Sequence, residues 1–325
     1  MNASTDSWQP PEREIKLPNL TTSVIIPAYN GAATLSGAIE SILRQTRVPE
    51  EIIVCDDCST DATTEVVARY GGRVECIRRQ DNGGLSANRN TAVRAARGDW
   101  VLVLDQDDEL LPHALEVLAG TAKGTGAGVA YGYVLLRSRE QARLHGLAWA
   151  AGEPPVPAKA NFWWTAVTTT GCALFRRSLI EQVGEFDETI WQAEDCEFWL
   201  RCGMTCRFAH CDTVVLKKHV TAGSLGSHTA GSIWWRLYLQ EKFLAWCAAR
   251  SLDTAFLDVT PAKLTDHALK RIFHMKAWRV LTPVLKRARA LKARTPWYYR
   301  GVVTEKLLGL RRVPTSPSNL RTYSC

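Results

Sequence analysis

The sequence predicts an α/β protein: a mostly parallel sheet flanked by helices, followed by a helical, basic C-terminal extension. Three observations lead there. β-Branched runs alternate with amphipathic stretches from Ser23 to Pro112, the order that builds parallel sheets through right-handed crossovers. The runs end in polar turns rich in Asn and Asp. Positive charge gathers at one end: His267 to Cys325 holds 14 Lys and Arg against one acid, Glu305, a net of +13, whereas the preceding residues hold 26 basic and 32 acidic side chains, a net of −6.

Ser23–Pro27 reads as a buried strand and Asn30-Gly31 as the turn after it. Leu35, Ala38, Ile39, Ile42 and Leu43 fall on one face of a helix. Glu51–Cys55 is the second strand. Asp61 is placed to cap a helix ending near Arg69, with Val66 and Val67 inward. Arg73–Ile77 is the third strand, and Leu85–Ala96 the third helix, stopped by Gly98. Trp100–Leu104 is the fourth strand. It runs into Asp105-Gln106-Asp107-Asp108, and Pro112 opens another helix. Gly120–Gly128 reads as a loop, Val129–Arg137 as a strand, and Ala150–Lys159, with three prolines, as a connecting loop. Phe162–Phe175 includes a strand. Ser178–Val183 and Glu194–Cys202 read as helices, the second with Phe198 and Trp199 inward. Thr213–Lys217 is a strand, and the chain turns helical from Gly231 to about residue 293.

Hydrophobic residues make up 46% of the chain and charged ones 22%, a globular composition rather than a disordered one. No stretch offers the roughly 18 uninterrupted apolar residues of a spanning helix. Met1–Lys16 lacks the apolar core of a secretory signal, so the expected location is cytoplasmic. The mildly acidic body argues against a nucleic-acid binder. The ten cysteines are expected to be reduced thiols. Cys55 and Cys58 sit in an acidic turn rather than a redox motif, and Cys196, Cys202, Cys206, His210 and Cys211 match no paired zinc-ligand spacing.

In open parallel sheets ligands bind beyond the carboxyl ends of the strands. Pro27–Asn30, Cys55–Ser59 and Asp105–Asp108 each follow such an end, so three polar turns converge on one rim. Asp105 and Asp107, one residue apart, suit a hard cation such as Mg2+ or Mn2+ that keeps positions open for phosphate oxygens. Adjoining carboxylates repel one another, and a divalent cation relieves this. The plainer alternative is a solvated acidic turn with Asp108 or Glu109 at a helix N-terminus. Asp56 and Asp57 can accept hydrogen bonds from a base or a ribose, or serve the turn itself. Arg89, after Asn82-Gly83-Gly84, can offset the acids or reach a phosphate, or be a surface residue.

Four segments now stand in order: Val24-Ile25-Ile26-Pro27-Ala28-Tyr29-Asn30, Asp56-Asp57-Cys58-Ser59-Thr60-Asp61, Asn82-Gly83-Gly84-Leu85-Ser86-Ala87-Asn88-Arg89-Asn90 and Leu104-Asp105-Gln106-Asp107-Asp108. Together, over about residues 21–120, they resemble the family 2 glycosyltransferases. Arg176-Arg177, Val183-Gly184-Glu185-Phe186-Asp187 and Glu194-Asp195 with Phe198-Trp199-Leu200-Arg201 extend the resemblance to about residue 226. It implies the GT-A fold, a Rossmann-like sheet. It also implies a catalytic domain over 21–230, with a nucleotide-binding half over 21–120 and an acceptor-binding half over 121–230. An N-terminal extension (1–20) and the helical basic region (231–325) lie outside that domain.

The resemblance further implies an inverting transfer from a nucleotide-sugar donor, expected to be UDP-linked. The receiver would be a hydroxyl on a glycan or lipid-linked acceptor in polysaccharide or cell-surface glycan assembly. Pro27, Ala28 and Tyr29 would line the nucleotide pocket, and Asp57 would read the base with Asp56 beside it. Arg89, Asp105 and Gln106 belong to the same nucleotide-binding set, Asp105 toward the ribose. Asp107 would ligate the Mn2+ or Mg2+ that bridges the diphosphate, and His219 would approach that metal or the diphosphate. Asp195 would be the base, with Glu194 beside it. Two departures stand out: Cys58 where Gly is usual, and a spacing two residues longer after Lys218-His219. Trp191 and Trp163 are the expected acceptor contacts, since aromatic faces stack on sugar rings, with core packing as the alternative.

A non-catalytic relative keeping the fold is the competing reading, and the intact Asp105, Asp107 and Asp195 argue against it. A nucleotidyltransferase would show a Gly-rich, basic loop after the first strand, where this chain has Ala28-Tyr29-Asn30-Gly31. In the basic region Phe273, Ala277, Val280, Leu281, Val284, Ala288 and Leu291 can form one helical face, divided by Pro283. Lys276, Arg279, Lys286, Arg287 and Arg289 flank it, and Trp297-Tyr298-Tyr299 follows. Two readings stay open for residues 267–325: a peripheral contact with the anionic inner face of the cytoplasmic membrane, or a helix packed on the protein with its basic face solvated.

Overall fold

The computed structural model describes residues 20–137, the strand at 142–145, residues 169–219 and 230–252, and a few single residues beyond. These fall into two compact units. The first takes the described residues up to 145, then 169–186 and 198–219. The second takes 187–197 and those from 230 onward. Trp163, the 150–159 loop and most of the basic extension lie outside the described residues.

The first unit is built on one mixed sheet. β1 (Thr22–Ala28) is buried at every position, β2 (Glu51–Asp56) at all but its first, and β4 (Trp100–Val103) throughout. Successive side chains of a strand point to opposite faces, so both faces of these strands are covered. That is why each is centred on an apolar run, residues 24–26, 52–55 and 100–103. With β3 (Glu75–Arg78) they form a parallel half in which β1 pairs β2 and β4, and β2 pairs β3. The rest of the sheet comprises β5 (Glu109–Leu110), β6 (Val129–Arg137), β7 (Ala142–His145), β8 (Ala173–Arg176) and β9 (Phe208–His219). The order is β3-β2-β1-β4-β8-β6-β9-β5, with β7 on β6. β8 runs antiparallel to both β4 and β6, β9 parallel to β6, and β5 antiparallel to β9.

α1 (Leu35–Leu43) buries Leu35, Ala38, Ile39 and Ile42, the expected face. α2 (Thr63–Ala68) is shorter than expected, and Ala62 rather than Asp61 stands at its cap. The Asp61 carboxylate instead ties two loops, accepting the amides of Thr63 and Ala32 at 3.0 Å each. α3 (Leu85–Ala95) agrees with the sequence. α4 (Ala114–Thr125) does not: it runs straight through Gly120 and Gly124, where a loop was expected. Leu115, Leu118, Ala119 and Ala122 give it a buried face, and Gly126 ends it in the left-handed conformation at φ 66°. β9 is also longer than Thr213–Lys217, because its first residues pair with β6 before a register shift at Tyr131–Tyr133.

α5 (Leu179–Val183) follows β8. α6 (Glu194–Gly203) starts in the second unit and ends in the first, where Phe198 and Trp199 are buried. There Phe198 stacks on Phe186 at 4.4 Å and meets Phe175 edge-on at 5.5 Å. α7 (Ala230–Ala249) belongs to the second unit. Among the described residues no helix is long and apolar enough to cross a membrane, and Cys55, Cys58, Cys76, Cys206, Cys211 and Cys247 are free thiols.

Candidate active site

β1 has β2 on one side and β4 on the other, so the strand order reverses there. A crevice opens at such a switch point beyond the carboxyl ends. The loop leaving β1 rises on one side of it and the acidic turn after β4 on the other. Pro27 and Ala28 close β1 and are buried. The Ala28 carbonyl takes the Asp57 amide at 2.8 Å and Asn88 Nδ2 at 3.2 Å. Asn88 Nδ2 also reaches the Cys55 carbonyl at 2.9 Å, so one buried amide ties α3 to both strand ends. Tyr29 is 45% exposed. Asn30, at φ 48°, joins the β1 loop to the turn after β2: its amide donates to Ser59 Oγ and its Oδ1 accepts the Thr60 amide, both at 2.9 Å.

The turn after β2 brings Asp56 and Asp57 to the same rim, but their carboxylates are largely committed to the fold. Asp56 Oδ1 accepts the Ser59 amide at 3.1 Å, and Arg78 lies 3.4 Å from Oδ2. Asp57 accepts the amides of Gly83 at 3.1 Å and Gly84 at 2.8 Å and pairs with Arg79 Nε at 3.0 Å. It thereby shapes the Asn82-Gly83-Gly84 loop. Cys58, which follows them, stands at φ 62°, which is why glycine suits this position.

The acidic turn holds three carboxylates against two cations. Arg89, 2% exposed, reaches across from α3 to Asp105 Oδ1 at 2.9 Å, and its guanidinium lies over the Phe186 ring at 5.5 Å. Lys218, from the end of β9, sits 3.3 Å from Asp105 Oδ2 and 2.9 Å from Asp108 Oδ2. Burial opposes the charge on Asp105, but Lys218 and Arg89 outweigh it and hold its pKa at about 2. Burial pushes Asp107 above the usual carboxylate range, and the charge of Asp105 adds to the push. Burial likewise pushes Asp108 up to about 7, with Asp105 and Asp107 adding to it against Lys218. Lys218 in turn, despite the cost of burial, is held protonated by Asp105 and Asp108. With all three carboxylates ionised, one negative charge is left over. His219 Nε2 meets Glu109 Oε1 at 2.8 Å, where Lys217 also binds. Gln106 spends both ends of its amide on the backbone N–H and C=O of Tyr29.

The second unit carries the other acids. Glu194 and Asp195 lie in the first turn of α6, where a helix N-terminus favours negative charge. Glu194 is buried. Asp195 Oδ1 accepts the Cys196 amide at 2.8 Å. Ala193 immediately before them stands at φ 63°. Trp191 is half-buried ahead of this turn.

Residues 23–184 match the model of a family described as glycosyl transferase family 2. The chain belongs to this family. A Mycobacterium tuberculosis relative is 34% identical over 199 residues, 55% of this chain and 60% of its own length. The succinoglycan biosynthesis protein ExoO of Rhizobium meliloti is 42% identical over 116 residues, 35% of this chain and 33% of its own. An Escherichia coli relative, UDP-Glc:alpha-D-GlcNAc-diphosphoundecaprenol beta-1,3-glucosyltransferase WfgD, is 36% identical over 96 residues, 29% of this chain and 38% of its own. The chain therefore spans less than two thirds of the length of each of these relatives. Among solved structures, S. aureus TarS 1–349 in complex with UDP-GlcNAc superposes with a TM-score of 0.56 at 20% identity, covering 89% of this chain and 92% of that one. The fold is GT-A.

Within this family 2 domain the first unit brings together Pro27, Ala28, Tyr29, Asp56, Asp57, Arg89, Asp105, Gln106, Asp107 and His219 on the strand-end rim. Asp195, Glu194 and Trp191 lie in the second unit, and Trp163 lies outside the described residues. Among the described residues no three His, Cys, Asp or Glu side chains converge as a ready-made metal cage. The uncompensated charge beside Asp107 nevertheless fits a hard divalent cation that takes one or two carboxylates and completes its shell with substrate phosphates. Lys218 was visible in the sequence only as the neighbour of His219. Alternation along β9 is the signal that separates the two lysines, Lys217 to Glu109 and Lys218 to Asp105 and Asp108.

Proposed function

We propose that this chain is a glycosyltransferase that moves a sugar from a UDP-linked donor to a hydroxyl acceptor in glycan assembly, with inversion at the anomeric carbon. The observation that carries the reading is the switch-point crevice, where the loop bearing the exposed Tyr29 is bonded through its backbone to the acidic turn of Asp105, Asp107 and Asp108. UDP and UDP-GlcNAc occupy the structural neighbour TarS, and the names of ExoO and WfgD speak of polysaccharide and lipid-linked glycan synthesis. Asp107 would hold the cation, Mn2+ or Mg2+, with diphosphate oxygens as its other partners. When bound, that cation offsets the charge that develops on the departing nucleoside diphosphate. Arg89 and Lys218 fix Asp105 in its ionised form, ready to accept a ribose hydroxyl.

Asp195 is the proposed base. Its Oδ1 is occupied by the Cys196 amide, and Oδ2 would take the acceptor proton as the oxygen attacks the face opposite the leaving group. A single displacement with one base inverts the anomeric centre. The basic segment 267–325 would present the enzyme to an anionic membrane surface carrying a lipid-linked acceptor. The test is nucleotide release from a panel of UDP- and GDP-sugars, with and without Mn2+, alongside two variants. Asp107→Ala is expected to lose metal-dependent donor binding. Asp195→Asn is expected to keep donor binding and lose transfer. Full transfer by Asp195→Asn would remove the base assignment, and no release from any donor would remove the enzyme.

A further inference from the structure

Gln106 separates the two acids of the cation-binding turn, and its side chain makes a reciprocal pair with the backbone of one residue of the opposite loop. The Tyr29 amide donates to Oε1 at 2.9 Å, and Nε2 donates to the Tyr29 carbonyl at 3.1 Å. This is the exchange two strands make across a ladder, here supplied by a side chain. It begins where the ladder itself runs out. β1 and β4 pair last at Ile25 and Val103, and the Leu104 amide makes a final bond to Ile25 at 2.9 Å. Beyond that point the strands part around the crevice, and the Gln106 amide joins its two walls.

Two independent features give this clamp a purpose. Tyr29 presents a ring that is 45% exposed, one of two large hydrophobic side chains exposed among the described residues. Its loop is tied toward the β2 side through Asn30 and Gly31, the latter to Thr63 Oγ1 at 2.9 Å, and Gln106 is the tie toward β4. The chain also keeps a place for the amide. A methyl group on Gly31 would overlap Gln106 Oε1. Gly31 is not among the residues with positive φ, so a hydrogen is needed there for clearance rather than for backbone freedom.

We propose that Gln106 is a positioning residue for the nucleobase: by holding the backbone N–H and C=O of Tyr29 it sets the Tyr29 ring as a stacking platform at a fixed distance from the acidic turn. Aromatic faces stack on any base. A platform tethered in advance loses less freedom when the base arrives. Base and diphosphate, the two ends of one ligand, then rest on the two ends of one clamp. The proposal rests on reading the rim as a nucleotide-sugar site.

The test titrates UDP with Mn2+, and separately inorganic pyrophosphate with Mn2+, into the full chain by calorimetry. Gln106→Met keeps the bulk and removes the hydrogen bonds. It is expected to bind UDP about tenfold more weakly, the worth of two net hydrogen bonds, and to bind pyrophosphate, which has no base, as the wild type does. Gly31→Ala displaces the amide and is expected to cost as much for UDP. The double variant Gly31→Ala/Gln106→Ala should cost no more than either change alone. In a Tyr29→Ala background the Gln106→Met change should be silent. Unaltered UDP binding by Gln106→Met overturns the clamp while leaving the nucleotide reading intact, and equal losses for UDP and pyrophosphate overturn it as well. A wild-type chain that binds neither probe overturns the nucleotide reading together with the clamp.

Discussion

Cys58 shows at a single residue how the site is shaped and at what cost. At φ 62° it occupies the left-handed region, which costs a residue with a Cβ roughly 1–2 kcal/mol. Its thiol gains only a long contact with the Gln80 carbonyl, 3.7 Å away. Cys58→Gly is therefore expected to raise stability by about 1 kcal/mol, after the added freedom of the unfolded chain is set against the relief. Urea unfolding checks this, and a lower midpoint would count against it. Lys218 acts in the opposite sense. It is 30% exposed and stands between Asp105 and Asp108. Removing one member of a buried ion pair costs about 3–5 kcal/mol, and partial exposure lowers that for Lys218. Lys218→Met is expected to lose about 2 kcal/mol, with part of the loss recovered when Mn2+ is added to the urea titration. No recovery would mean that the acids do not share one cation site. The sequence marked Cys58 as a departure from the family pattern. It carried no comparable sign for Lys218, because the acids that Lys218 meets lie more than a hundred positions away.

The element that ties the site to its scaffold is α3. Its Asn90 exchanges two buried hydrogen bonds with Phe186, donating Nδ2 to the carbonyl and accepting the amide at Oδ1, both at 2.9 Å. Asn90→Ala would leave both backbone groups buried without that partner, at about 1–3 kcal/mol each. The expected loss is about 3 kcal/mol in urea unfolding, and a change within about 0.5 kcal/mol, typical of an unstructured surface position, would contradict it. The parallel half of the sheet was legible because β1, β2 and β4 each centre on a short apolar run and the segments between the strands are amphipathic. The rim was legible for the same reason, since strand ends locate the turns. What was not legible depends on partners distant in sequence. β5 is two residues long and exists only by pairing with β9. α4 carries two glycines that local reading places in a loop, and burial of its Leu115–Ala122 face overrides their propensity. The engagement of Asp57 with Gly83 and Gly84 could not be read from its own neighbours. A turn acid and a base-reading acid look alike in sequence.

Across the whole molecule charge is the variable that couples stability to surroundings. Asp105, Asp187, Glu51 and Glu109 all have pKa values lowered by their partners despite burial. A carboxyl whose folded pKa lies below its unfolded one stabilises the fold above the unfolded value and loses that contribution as pH falls through the folded one. For Asp105, with a folded value of about 2 against 3.8, the window runs from about pH 4 down to about 2. The melting temperature is expected to drop steeply there, less steeply in Asp105→Asn, and equal slopes would speak against the ion pair. Asp108, pushed up to about 7, works the other way, giving up stability as pH rises from about 4 to 7. At the far end of the chain, Leu269, Ile272 and Val284 are fully buried, so part of the basic segment is packed and deleting it would confuse folding with binding. Its charge can be tested in place. If the segment meets a membrane, each basic residue near an anionic leaflet contributes about 1 kcal/mol, screened over about 8 Å at physiological salt. The intact chain is then expected to sediment with phosphatidylglycerol vesicles, to ignore phosphatidylcholine vesicles, and to come off as sodium chloride is raised. Replacing Arg287, Arg289, Lys292 and Arg294 with Gln should weaken the attachment at fixed salt. Attachment indifferent to both lipid charge and salt would assign these residues to packing or to plain solvation instead.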